Sequence, residues 1–406
     1  MAAKKFGVLE WILVGFVVGI IAGLIVGKPI TVVKPIGTLF INLLKMLVVP
    51  LIFSTLAAGV ATFTGEKLGR MIGKTFFWYY ITGIIGMVLA LIIAFASGAG
   101  TGFPIGELKK VDVKAAPSLV DVGLAIVPTN IFNSLAKGDA LPIIFFAIIL
   151  GMAIAAAGKP AEPLKNFLSA LAEAMYKMVG YVLWVGPFGV FALMAVNVGT
   201  YGLGVLAPYA LLIFLVYLAN GIQLFAVYPV LLRFMGIRPY SYLNKIKEAP
   251  IFAFTTCSSS ATLPITMRVC KEAGVGEDTC SFVLPMGATV NMDGSGMYQA
   301  ITAVFLANVF QIPLSFYHYV MIAVVSLLGS IGTAGVPGAG LIMLSMVLGA
   351  VGIPLEGIAI VAGVDRILDM ARTAVNVADD AVATVIIGKT EGDQLPADLV
   401  YGRAKS

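Results

Sequence analysis

Charge is scarce in this chain. Lys and Arg number 26 and Asp and Glu 21 among 406 residues, or 12% charged, against roughly 25% in an ordinary soluble domain. With 60% of residues hydrophobic and a mean hydropathy of +1.01, much of the apolar surface must face a solvent other than water. The bilayer is that solvent. Cysteine is scarce too: Cys257, Cys270 and Cys280 are too few for a disulfide scaffold and lack CxxC or Cys/His metal spacing. The single histidine, His318, sits among aromatics between Phe316 and Tyr319 and reads as an interfacial anchor, which leaves a His-based catalytic triad without its base. A net charge of +5 is too small for a nucleic-acid-binding surface. The chain lacks a G-X-Y period and is too apolar for disorder.

Uncharged stretches map the spans, since a helix needs about 20 predominantly apolar residues to cross the hydrocarbon core. Trp11–Gly27, Met46–Gly65, Thr75–Gly106 and Ala140–Gly158 each hold one helix. Met178–Leu232 holds two, split at the glycine-rich turn Gly199–Gly204. The stretch after Lys4 and Lys5 is longer than a signal-peptide apolar region, and no A-x-A-like site follows before Lys28, so it reads as a membrane helix. Lys4, Lys5, Lys67, Arg70, Lys74, Arg233, Arg238, Lys245 and Lys247 fall on one side, which the positive-inside rule makes cytoplasmic.

The C-terminal part is stranger. Ala249–Met267 is uncharged, yet six of the eight residues from Thr255 to Thr262 are Ser or Thr, and Pro264 follows. Such residues compete with the helix for backbone hydrogen bonds, so the chain is expected to turn there and return to its own side. Phe316–Gly329 and Leu341–Gly352 are apolar arms too short to span, joined by the glycine-rich segment Ser330–Gly340, and read as a second re-entrant hairpin. Two ordinary helices with a surface loop are the alternative. Between the hairpins, the apolar run Thr279–Phe310 is broken at Gly287–Gly296, with Asn291 and Asp293 near its middle. An ionisable group at that depth marks a functional site, and glycines would let the helix unwind and free carbonyls for a hard cation. A kink satisfied by a neighbouring helix is the plainer alternative.

The last helix, Leu355–Gly388, carries Asp365, Asp369, Arg372, Asn376 and Asp380. At about 100° per residue these fall within an arc of roughly 80°, flanked by Thr373, inside otherwise apolar sequence. Asp293, Asp365, Asp369 and Asp380 against Arg372 leave −3 in low dielectric, tenable only when protons or metal cations come in. Carboxylate, amide and hydroxyl oxygens suit hard cations, while the planar fork of Arg372 suits a carboxylate. Cations and an anion would then enter together, each lowering the cost of burying the other.

The motifs SSSATLP at Ser258–Pro264, NMDG at Asn291–Gly294, SIGTAGVPGAG at Ser330–Gly340 and DMARTAVNVADD at Asp369–Asp380 together resemble the dicarboxylate/amino acid:cation symporter family. The resemblance runs over nearly the whole chain. It implies an all-α polytopic membrane protein with eight transmembrane helices, two re-entrant helical hairpins, inverted repeats, and elevator-type alternating access within a homotrimer. It also implies sodium-coupled symport of L-aspartate or L-glutamate across the plasma or inner membrane, with both termini cytoplasmic and no enzymatic activity. The implied division is scaffold helices 1–2 over residues 1–73, helix 3 of the transport domain over 74–106, scaffold helices 4–5 over 115–200, the transport domain over 201–388 and a cytoplasmic tail over 389–406.

By matching positions, the substrate would contact Ser259, Ser295, Val336, Gly340, Asp369, Arg372, Thr373 and Asn376. Arg372 would hold the side-chain carboxylate and Asp369 the amino group. One sodium ion would use carbonyls of Gly287, Asn291 and Asn376 with the Asp380 carboxylate. A second would sit between Thr289 and carbonyls of Ser330, Ile331 and Thr333, and a third would use Tyr79, Thr82, Asn291 and Asp293, giving two to three Na+ in all.

The chain departs from the family pattern at several points. Cys257 and Met370 stand where relatives place an arginine, and Arg366 is the candidate replacement. Gly83 replaces a hydroxyl beside the third sodium. Gln299 replaces a proton-carrying acid, so no proton coupling is expected through it, and Ser295 replaces the more usual Thr. Two alternatives to acidic amino-acid symport stay open, a proton- or sodium-coupled C4-dicarboxylate carrier and a neutral amino-acid carrier. An intramembrane protease is disfavoured because the stripe surrounds an Arg and an Asn instead of pairing two acids, and no Lys or His attends the serines. A pure channel is distinguished by whether substrate accumulates against a gradient.

Overall fold

The computed structural model describes residues 8–61, 66–103, 127–138, 140–330 and 338–401. Among them every regular element is helical, and the one β pairing is an isolated bridge between Ile237 and Val400. In order these are Val8–Val26 (α1), Lys34–Val60 (α2), Glu66–Ser97 (α3), Ile131–Lys137 (α4), Ala140–Ala157 (α5), Glu162–Tyr201 (α6), Leu206–Ile222 (α7) and Tyr228–Phe234 (α8). There follow Pro239–Ile246 (α9), Glu248–Thr256 (α10), Ser259–Glu272 (α11), Glu277–Val290 (α12), Asp293–Val309 (α13), Phe316–Ser330 (α14), Ala339–Ala350 (α15), Gly357–Val361 (α16) and Asp365–Glu391 (α17). A π-helical turn, Gln223–Val227, joins α7 to α8.

Three runs of the described residues, Gly73–Ser97, Lys159–Thr200 and Gly202–Phe234, are long and apolar enough to cross a membrane. They expose Phe77, Phe95, Trp184, Phe214 and Phe225, as expected of surfaces that meet lipid. The helix α17 is long enough at 27 residues, but its polar stripe lowers its hydropathy. The uncharged stretches understate helix length. Helices α2 and α6 begin at Lys34 and Glu162, far ahead of Met46 and Met178, because a charged flank ends an apolar window without ending a helix.

Two groupings of helices carry the packing. In the first, α1 and α2 lie against α6. Gly15, Gly19 and Gly23 of α1 face Pro187, Phe191 and Ala195 of α6. A Cβ at Gly19 would come 2.6 Å from the Phe191 carbonyl oxygen, and one at Gly23 would come 2.7 Å from that of Ala195. Small residues at this spacing let two membrane helices approach backbone to backbone. In the second grouping α17 is the axis, packed by α3, α7 and α10 to α13, while α14 and α15 pack on α13 and on each other. Nearly all of α13 and α17 is buried. A helix buried all round holds polar side chains only where neighbours answer them.

Four local expectations are revised. The final helix starts at Asp365 and not near Leu355, because α16 ends at Val361 and the chain turns through Ala362–Val364. The first serine-rich break lies at Cys257–Ser258, with Cys257 in the left-handed region at φ 53, while Pro264 sits inside α11. Ser258 caps α11 by accepting from the Ala261 N–H (3.2 Å). The break between α12 and α13 falls at Asn291–Met292, and the surrounding glycines are helical. They serve close approach instead: a Cβ at Gly294 would lie 2.5 Å from the Arg372 carbonyl oxygen. Finally, His318 is buried, and its Nδ1 accepts from the Ser315 N–H (3.0 Å) as a capping-box partner at the start of α14.

Candidate functional site

The first half of α17 brings four charged side chains together. Arg372, only 1% exposed, donates from Nε to Asp369 Oδ1 (2.9 Å) and from Nη1 and Nη2 to the two oxygens of Asp365 (2.9 and 3.4 Å). Its guanidinium also lies over the Tyr298 ring, 4.4 Å from the centroid. Arg366 donates from Nη1 to Asp369 Oδ2 (3.3 Å), which also accepts from the Gly338 N–H (2.9 Å), while Thr373 Oγ1 donates to Asp369 Oδ1 (3.0 Å). Two acids and two arginines sum to zero. Gly340 admits this arrangement, since a Cβ there would lie 2.7 Å from Arg372 Cζ.

One turn further on the chemistry changes. Asn376 accepts from the Gly294 N–H (2.8 Å) and donates to Ser295 Oγ (3.2 Å) and Met292 Sδ (3.0 Å), so it ties α17 to the break between α12 and α13. Beyond it, Asp379 Oδ2 accepts from Thr82 Oγ1 (2.9 Å) and Asn291 Nδ2 (2.7 Å), and the same Nδ2 reaches Asp380 Oδ1 (3.0 Å). Gln223 Nε2 donates to the Thr82 carbonyl (3.1 Å) and sits 3.5 Å from Asp293 Oδ2. Tyr79 donates to the Val283 carbonyl (3.0 Å), and a Cβ at Gly287 would lie 2.6 Å from its hydroxyl and from Asp380 Cγ. Asp293, Asp379 and Asp380 are all buried, and no basic side chain pairs with them among the described residues.

The charge count is therefore corrected in its parts. Asp379 and Arg366, both buried, belong in the sum. Five aspartates against two arginines again give −3, but all of it lies in the second half of the site. Among the described residues no three acidic, His or Cys side chains form a metal-ligand set by themselves. A cation here would draw on carboxylate, amide, hydroxyl and carbonyl oxygens together, which suits a hard ion.

The structure thus gathers Asp369, Arg372, Thr373 and Gly340 in one group, Asn376 and Ser295 in a second beside it, and Tyr79, Thr82, Gly287, Asn291, Asp293 and Asp380 in a third. Ser259 is buried at the first position of α11, next to Cys257, which lies within electrostatic reach of the four charges of the first group. Thr289 is in the last turn of α12 and Ser330 ends α14, whereas Val336, Ile331 and Thr333 lie outside the described residues. Asp379 was missed from sequence, although two consecutive acids in an apolar helix cannot both face lipid.

The model of the sodium:dicarboxylate symporter family matches residues 8–390. The chain is 39% identical to the proton/sodium-glutamate symport protein of Geobacillus stearothermophilus, with 96% of each chain covered. It is 37% identical to the proton/glutamate-aspartate symporter of Escherichia coli, over 89% of this chain and 86% of that one. Identity to the C4-dicarboxylate transport protein of Rhodospirillum rubrum is 33%, over 89% and 83%.

Proposed function

The chain belongs to the sodium:dicarboxylate symporter family, and from that premise we propose that it carries L-aspartate or L-glutamate into the cell together with two or three sodium ions. At the coarser level it is a membrane-integral, cation-coupled transporter and not an enzyme. The finer reading rests on the division of charge along α17. A neutral Arg/Asp group precedes an uncompensated group of three acids.

An acidic amino acid brings one ammonium and two carboxylates. Its ammonium is suited to Asp369 and a carboxylate to Arg372, each displacing a partner that the two residues now supply to each other. Ser259, Ser295, Asn376, Thr373, Gly340 and Val336 would line the remaining contacts. The substrate adds −1 beside a group already at −3, and in low dielectric that sum is prohibitive without cations. Sodium would be held by Asp380 with carbonyls of Gly287, Asn291 and Asn376, and by Tyr79, Thr82, Asn291 and Asp293. A further position would use Thr289 with Ser330, Ile331 and Thr333. Coupling follows because substrate and cations each reduce the electrostatic cost of the other.

Grouping around α17, apart from α1, α2 and α6, supports a mobile transport unit built from residues 74–106 and 201–388. The scaffold would be formed by 1–73 and 115–200 and would trimerise, and the transport unit would move against it as an elevator in the cell membrane, with both termini cytoplasmic. The break at Cys257–Ser258 would be the tip of one re-entrant hairpin, and Ser330–Gly340, most of which lies outside the described residues, would hold the tip of the other.

The deciding experiment is uptake of labelled L-aspartate into proteoliposomes, with an inward sodium gradient, with choline in its place, and with a proton gradient alone. Concentrative uptake that requires sodium is expected. Uptake driven by protons alone would overturn sodium coupling. A second reading, a C4-dicarboxylate carrier, has the similarity to the Rhodospirillum rubrum protein behind it. Excess succinate that blocks aspartate uptake would favour it, whereas Asp369 offers an ammonium partner that a plain diacid does not need.

A further inference from the structure

Asp379 belongs to none of the cation positions described above. Its side chain is fully buried, Oδ2 accepts from Thr82 and Asn291, and Oδ1 has no hydrogen-bond partner. Two other buried atoms of the same group also lack partners, Asn291 Oδ1 and Gln223 Oε1. All three are acceptor oxygens. The Tyr228 hydroxyl, likewise unpartnered, lies within electrostatic reach of Asp379.

A second unpartnered set, on α13 and α14, makes a useful contrast. There Gln299 leaves both Nε2 and Oε1 free, alongside the hydroxyls of Thr302 and Ser326. Donors and acceptors together ask for water, which supplies both. Here three acceptor oxygens stand against one hydroxyl, that of Tyr228, which can donate to only one of them, and the excess of acceptors beside three uncompensated carboxylates asks for a cation. A proton would satisfy one carboxylate oxygen and leave the amide oxygens of Asn291 and Gln223 orphaned, whereas a metal ion draws several oxygens at once.

We propose that Asp379 is a ligand for a coupling cation, a monovalent metal ion held with Thr82, Asn291 and Asp293, and that its charge adds one cation to those bound with each substrate molecule. Gly83, which a Cβ would bring 3.0 Å from Asp293 Oδ1, contributes no side-chain oxygen there, and Asp379 supplies one to the same group. Without Asp379 the group would carry −2 and ask for one cation fewer. The inference rests on the cation-coupled transport of an acidic amino acid proposed above.

The test measures the number of sodium ions moved per aspartate, from the membrane potential at which net labelled flux vanishes in proteoliposomes, for the unaltered protein, D379N and D379G. A sodium titration of the purified proteins by calorimetry gives a readout free of transport. A stoichiometry lower by one in both variants, with one fewer sodium bound, is the expected result. An unchanged sodium count in folded variants overturns the proposal, and so does an unchanged sodium count with a lost proton flux. Should both neutral variants lose uptake or fail to fold, D379E decides: it keeps the charge, so its sodium count is expected to match the unaltered protein while its sodium-to-lithium preference shifts. A D379E protein with unaltered preference overturns the assignment. Absence of any sodium-dependent uptake by the unaltered protein would instead defeat the functional reading itself.

Discussion

Along α17 the polar side chains from Asp365 to Thr373 and those from Asn376 to Asp380 are all buried, yet the two segments carry their charges differently. In the first segment Arg366 and Arg372 answer Asp365 and Asp369 with four hydrogen bonds. In the second, Asp379 and Asp380 share one amide nitrogen of Asn291, and no cation of the chain is in reach among the described residues. A self-satisfied group is stable alone and must be opened by a ligand that brings the same chemistry. An unsatisfied one is strained alone and is completed by ions. The two segments lie on one helix, so completing one changes the field in which the other binds.

Substitutions can break that contrast, and the largest effect is expected at Arg372. Arg372→Ala leaves Asp365 and Asp369 without their main partner, a loss of about 3–5 kcal/mol, read as a lower unfolding temperature in detergent together with lost aspartate binding. Adding Asp365→Asn should recover part of the stability and none of the binding. Opposite signs are expected from neutralising each segment. In sodium-free buffer Asp365→Asn should lower the unfolding temperature, whereas Asp380→Asn should raise it by removing like-charge repulsion. Asp380→Asn should also abolish the stabilisation that sodium gives the unaltered protein, about 2.7 kcal/mol when sodium stands at about 100 times its dissociation constant.

Arg366→Ala is expected to weaken aspartate binding about tenfold, on the order of the 1.5 kcal/mol of a charged hydrogen bond. Unchanged affinity in a calorimetric titration would remove Arg366 from the substrate group. The smallest effect is expected outside the membrane, where Lys245 and Asp398 pair at 3.0 Å on an exposed surface. The hydrogen bond from Lys245 holds the Asp398 carboxyl below its ordinary range, but such pairs contribute little. Asp398→Asn should leave uptake and unfolding temperature as they are.

Much of this site was legible in the sequence because burial of charge in an apolar helix is so costly that each exception points to a partner. Asp369, Arg372 and Asn376 were found by angular position alone. The same geometry places Asp379 about 20° outside the stripe as drawn, a smaller angle than the width of a side chain, and a stripe limited to five residues passed over it. Arg366 lies about 100° from Asp365, and only its long side chain brings it back to Asp369. The glycines of the central break misled for another reason. Glycine reads as a place where a helix unwinds, while at Gly287 and Gly294 the absent Cβ makes room for Asp380 and for the α17 backbone. Pro264 misled similarly, since it sits within α11 and leaves the turn to Cys257 and Ser258.

The π-helical turn at Gln223–Val227 has a consequence for how this chain tolerates insertion and deletion. A π turn accommodates one residue beyond the α-helical count, so deleting a single residue there would restore a straight helix with an almost unchanged hydropathy profile. The faces beyond the deletion would keep their direction, so Tyr228 would still face the acids, whereas a one-residue deletion inside α7 would swing everything beyond it by about 100° and part Gln223 and Tyr228 from that group. A length change in α7 that looks harmless at the level of membrane topology would thus fall on the ion-binding end of α17, far along the chain but in direct reach through space.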